Sequence, residues 1–153
     1  MSMCAVLSAG MLLVCLVGHA PGVAAADETP TASPETVLAD ASRAVAAGNL
    51  GAATDLLRTL DTETIPASVR QQADLLLGVL LERQDQHDEA IPYLERAAAT
   101  YPLLADYALA YLATAHRSAA RSADAAATLR RLLDQHPQSL FVERASRNLP
   151  RDL

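Results

Sequence analysis

One interval governs the middle of this chain: residue types recur 35 positions apart. Leu77 and Gly78 return as Leu112 and Ala113, Ala90 as Ala125, Leu94 as Leu129, and Pro102 as Pro137. These residues do different jobs, as large apolar filler, small spacer and chain breaker. Their agreement at one offset marks a repeated supersecondary unit rather than a compositional bias. A unit of this length holds two helices and a turn. One such hairpin cannot cover its own apolar face, so units must stack, and about three are needed for a shared core.

Punctuation along the chain divides it into helices. Ser33-Pro34-Glu35 supplies an N-cap, a first-turn proline and an acidic residue near the positive helix end. From there the pattern predicts helices over about 34–47, 50–60, 67–83, 88–100, 104–116, 122–135 and 139–149. Gly48-Asn49, the loop 61–66, Pro102, Pro137 and Pro150 separate or end them. Ser122 and Ser139 read as caps. Pro92 is expected to sit in a first turn, where a missing N–H costs nothing. The fold class is therefore all-α: three antiparallel hairpins, about 34–70, 71–105 and 106–138, closed by the helix 139–149 within a domain 34–150. A chain with no tryptophan and one phenylalanine, dominated by alanine and leucine, does not suit a β-sandwich or barrel.

Close approach of the helices in each hairpin needs a small residue, and Gly78 with Ala90 and Ala113 with Ala125 fill that role. Leu77, Leu81, Leu94 and Ala97, then Leu112, Leu129 and Leu132, form the buried stripe. In the closing helix Phe141, Ala145 and Leu149 are expected inward, and Glu143, Arg144 and Arg147 outward.

Residues 1–26 carry no charged side chain. Ala5 to Val17 is a run of apolar and small residues, too short to span a bilayer core. Ala24-Ala25-Ala26 then precedes Asp27. This is the pattern of a secretory signal peptide cleaved after Ala26, followed by a flexible linker over 27–33. The expected location is the periplasm or the exterior, with membrane association only if the segment is uncleaved. Cys4 and Cys15 both lie in it, so the mature chain would have no thiol chemistry.

The remaining chemistry is sparse. Eighteen acidic residues face 12 basic ones, all arginine, for a net charge of −6, which does not suit a nucleic-acid binder. His87, His116 and His136 have no His or Cys at metal-site spacing and read as surface or loop residues. No phosphate-binding loop or nucleophile elbow occurs. The carboxylates read as solvated on polar helix faces. No catalytic residue, metal ligand or cofactor is expected.

Leu77-Gly78-x-x-Leu81, Ala90-x-x-x-Leu94 and Pro102 together resemble the tetratricopeptide repeat pattern. Leu109-x-x-Leu112-Ala113, Ala125-x-x-x-Leu129 and Pro137 resemble it again, and Ala41, Ala53-x-x-x-Leu57 and Pro66 form a weaker first unit. The family's tryptophan is missing, and Ala44 and His116 stand where an aromatic is usual. The resemblance implies a solenoid whose first helices line a concave groove for a protein or peptide. At those positions stand Gln72, Leu75, Val79, Glu82 and Arg83, then Tyr107, Ala110, Thr114 and Arg117. Val79 and Thr114 occupy places where a carboxylate-clamping family member has asparagine.

A narrower likeness covers 101–139. Tyr101 to Ala113 and His136-Pro137-Gln138-Ser139 resemble the non-catalytic helical superhelix of soluble lytic murein transglycosylases. That implies peptidoglycan or a murein enzyme as an alternative partner. The catalytic glutamate-serine pair of those enzymes is absent, since no glutamate here precedes serine. The expectation is thus an exported, non-catalytic scaffold for a protein or peptide of the cell envelope.

Overall fold

A computed structural model of the chain describes residues 33–60 and 64–148. Its elements are α1 (Pro34–Ala46), α2 (Leu50–Arg58), α3 (Ala67–Arg83), α4 (His87–Thr100), a 3-10 turn (Pro102–Leu104), α5 (Ala105–Ser118), α6 (Ser122–Gln135) and α7 (Val142–Asn148). The expected signal peptide, its cleavage point, the linker up to position 32 and Leu149 lie outside the described residues.

Helix starts follow local chemistry in part. Ser33 caps α1 by accepting the Thr36 N–H, and Asn49 caps α2 by accepting that of Ala52. Ser122 is not a cap: it is the first residue of α6, and Arg121 before it makes no side-chain cap bond. Ser139 does not open α7 either. Its hydroxyl donates to Asp106 at 2.7 Å and accepts the Phe141 N–H, so it pins the junction, and the helix begins at Val142. Pro92 falls in the second turn of α4, later than expected. It is on the exposed face, where the carbonyl that loses its partner is open to solvent.

The 35-residue interval is written in the backbone. The turn after α3 closes with Gln86 N–H on Leu81 C=O and Asp85 N–H on Glu82 C=O. The turn after α5 repeats both bonds, from Arg121 to His116 and from Ala120 to Arg117. Each pair is a Schellman closure, which needs a left-handed residue at the reversal. Asp85 and Ala120 take that conformation without glycine. At the end of the second helices, Tyr101 N–H to Ala97 C=O recurs as His136 to Leu132. The first hairpin turns the same way, with Asn49 N–H on Ala44 C=O and Gly48 at φ 78°.

Consecutive helices pack against one another, and α3 also touches α1 and α5, so the first helices of the hairpins adjoin along one side. The core between the layers encloses Leu80, Leu81, Leu94, Leu109 and Leu132. Each contributes roughly 1.5–3 kcal/mol by leaving water. Gly78 makes a tight approach in its hairpin to Leu94: an added Cβ would lie 2.7 Å from Leu94 Cγ. Ala90 is fully buried nearby in the sequence of the same core, as is Ala53 one unit earlier.

Ion pairs link neighbouring units. Arg58 at the end of α2 meets Glu89 in α4, and Arg121 meets Asp88, each at 2.6 Å. One carboxylate departs from the expected solvated pattern. Asp74 is 2% exposed and accepts from Arg96 at 2.6 and 3.2 Å within the α3–α4 hairpin. The Arg96 guanidinium also sits 4.7 Å from the Tyr93 ring centre. His116 likewise departs: it is a core residue of α5, 6% exposed, with a buried Nδ1 that has no partner. The histidine position falls on the inward face because it stands where Leu81 stands in the preceding unit.

Candidate functional site

The adjoining faces of α3 and α5 carry two hollows. The smaller, about 280 Å³, is formed by Gln72, Leu75 and Val79 of α3, by Tyr101 and Leu104 at the junction, and by Tyr107 of α5. The larger, about 440 Å³, has Glu82 of α3 and Tyr107, Ala110, Thr114 and Arg117 of α5 on one side. Leu129 of α6 and Phe141 and Arg144 of α7 face them across it. Tyr107 belongs to both hollows.

The expected groove positions therefore converge, with differences in role. Gln72 and Arg117 are exposed and Glu82, Ala110 and Thr114 half-buried, as a contact surface requires. Leu75 and Val79 are 7% and 8% exposed, so they form the floor and offer little free apolar area. Arg83 lines neither hollow, yet its charge acts on Tyr107. Thr114 donates its hydroxyl to the Ala110 carbonyl at 3.1 Å, a bond internal to α5.

Tyr107 is the centre of an aromatic group. Its ring centre lies 4.8 Å from that of Tyr111, tilted, and 5.7 Å from that of Phe141, edge to face. Both arrangements are favourable for rings with negative faces and positive edges. Burial pushes the Tyr107 phenol up to about 12, and a hydrogen bond to Tyr111 adds to the effect while Arg83 opposes it. The phenol thus stays neutral and holds its proton inside the fold.

Tyr111, Leu129, Phe141 and Arg144 complete the larger hollow, and helix-face reasoning did not assign them to the groove. The available signal was Phe141, the chain's single phenylalanine, placed at the entry to the closing helix. Arg144 was expected to point outward. It is exposed, and it borders the hollow all the same.

The larger hollow offers an apolar and aromatic floor with guanidinium groups on its border. Among the described residues no group of three or more His, Cys, Asp or Glu could hold a metal ion. No described helix is long and apolar enough to cross a membrane.

Comparison with known families places the repeat where the backbone does. A family model described as tetratricopeptide repeat matches residues 72–103 and 107–139, two spans that begin 35 positions apart. No curated protein and no solved structure matches the chain.

Proposed function

We propose that the chain, which carries tetratricopeptide repeats over residues 72–103 and 107–139, is a protein-interaction scaffold that works outside the cytoplasm as a non-catalytic receptor for a peptide or protein segment. The observation that carries this reading is the convergence of the α3 and α5 face residues on two hollows that share Tyr107. An extended segment or a partner helix laid along that side meets an apolar strip with polar and charged edges, which suits groove recognition. The uncharged residues 1–26 and the small residues before Asp27 support export.

Capture tests both parts. The tagged protein is expressed in its own host and recovered from envelope and cytoplasmic fractions. An N-terminus at Asp27 in the envelope fraction is expected. Proteins retained by the wild type and lost with the double variant Tyr107→Ala, Arg117→Ala, at unchanged helicity, would be the partners. Equal retention by both would remove the groove assignment. Retention on purified cell-wall sacculi without any protein partner would instead favour an accessory module for peptidoglycan, the reading that the likeness over 101–139 implies.

A further inference from the structure

Arginine pairing is uneven across the molecule. Arg43, Arg58, Arg96, Arg121 and Arg147 meet carboxylates. Arg70 donates to the Ile65 carbonyl, Arg131 donates to Gln135, and Arg130 is also engaged. Among the described residues Arg83, Arg117 and Arg144 have no ion pair and no hydrogen bond. Arg117 and Arg144 border the larger hollow. Arg83 follows Glu82, which lines that hollow, in the sequence of α3. Among the described residues Glu82 is the one acid on the lining. Two guanidiniums without partners thus border a single hollow, on a chain whose net charge is −6.

An unpaired guanidinium in water carries no cost, so the pairing pattern alone is only a charge distribution. The cavity beneath it gives it a use. A volume of about 440 Å³ is within the range of ligand pockets, and the rings of Tyr107, Tyr111 and Phe141 present aromatic surface inside it. Charge at the border and apolar area at the floor call for an occupant with both. We infer that the larger hollow takes one aromatic or large aliphatic side chain of an acidic peptide segment, whose flanking carboxylates pair with Arg117 and Arg144. Arginine suits this task because its planar fork binds a carboxylate through two parallel hydrogen bonds. The anchor side chain supplies burial and the carboxylates fix its orientation. This inference rests on the scaffold reading above and narrows it to a class of partner.

The test uses a displayed library of short random peptides panned on the purified protein. Enriched peptides are then synthesised and titrated by fluorescence anisotropy against wild type, the charge reversal Arg117→Glu with Arg144→Glu, and Ala110→Trp, which fills the hollow from α5. Enriched sequences should hold one aromatic or large aliphatic residue among several Asp or Glu. Binding should weaken at least about tenfold in the charge reversal and should fall with added salt. Both reversed positions are exposed, so circular dichroism should be unchanged, and that variant decides the matter if Ala110→Trp fails to fold. Enriched peptides without acidic residues, or equal affinity for the charge reversal, overturn the inference and leave the peptide-receptor reading standing. No enrichment at all overturns both. A dimer in sedimentation that the charge reversal dissociates gives the hollow to a second copy and overturns the acidic-peptide assignment.

Discussion

Asp85 and Ala120 stand one repeat apart and hold the same left-handed backbone, at φ 61° and 59°. Each reverses the chain between the two helices of its hairpin. Gly48 does so in the first hairpin at φ 78°. The first unit uses the residue that tolerates this conformation, and the later two do not. For an L-residue other than Asn or Asp the cost is roughly 1–2 kcal/mol.

Ala120→Gly is therefore expected to stabilise the protein. Relief of strain exceeds the added freedom of glycine in the unfolded chain, for a net gain of about 0.5–1 kcal/mol. The midpoint of urea unfolding should rise at unchanged slope. Asp85→Gly should gain less, because a short polar side chain can support the left-handed turn. A lowered midpoint for Ala120→Gly would show that the turn is not strained.

The buried pair in the α3–α4 hairpin makes a second prediction. Arg96→Leu strands the Asp74 carboxylate, which is 2% exposed. The loss should be about 2–4 kcal/mol, somewhat below a fully enclosed pair because Arg96 is 46% exposed. The double variant Asp74→Leu, Arg96→Leu should recover much of it, since an apolar pair of similar volume has no desolvation penalty. A double-mutant cycle by calorimetry gives the coupling; additive losses would mean that the pair is not coupled.

Helix positions were legible in the sequence because prolines, glycine and polar caps act locally. Pro66 directly before α3 and Pro137 shortly after α6 mark those limits, whereas Ser122 opens α6 without capping it. Asp74 was not legible, since its partner lies 22 residues away on another helix and no spacing rule joins them. His116 was misread for a related reason. A polar residue at a core position is visible only once the repeat register is applied, and the register puts it in the place of Leu81. The near wall of the larger hollow followed from the face of α5. Its far wall did not, because Leu129, Phe141 and Arg144 reach it through the packing of α6 and α7.

The same register supplies a substitution. Leu81 is fully buried, and His116 takes the equivalent place with its Nδ1 unpartnered. His116→Leu removes an unsatisfied buried group and fills the space, for a gain of about 1–2 kcal/mol. The melting temperature should rise by several degrees. A lower melting temperature would mean that the ring is held by contacts leucine cannot make.

Gly78 of α3 lies against Leu94 of α4. A Cβ there would meet Leu94 Cγ at 2.7 Å and Cδ2 at 2.8 Å, and Leu94 is fully buried. Alanine improves helix propensity by about 1 kcal/mol, but overpacking of this kind costs roughly 1–3 kcal/mol. Gly78→Ala is thus expected to destabilise by about 1 kcal/mol on balance. The reverse exchange one unit on, Ala113→Gly, should also destabilise, by lost propensity and a lost contact with the core. Hydrogen exchange of the α3 and α4 amides reads the first change locally. Faster exchange confined to that hairpin is expected, and slower exchange would mean that Leu94 yields without cost.

The last prediction concerns pH. The Tyr107 phenol is raised from an ordinary value near 10 to about 12 by burial, with help from Tyr111. In the folded protein this proton is held more tightly than in the unfolded chain. The stabilisation is complete below pH 10, where both states are protonated, and it is lost as pH rises from 10 towards 12, where only the unfolded chain ionises. Tyr107→Phe cannot ionise at that position, so its stability should fall less steeply across the same window. Phenolate absorbance should separate the two proteins as well. In the wild type the rise extends towards pH 12, and in the variant its last part is missing. A variant whose alkaline limb follows the wild type throughout would mean that solvent reaches the phenol, and that the wall between the two hollows is open.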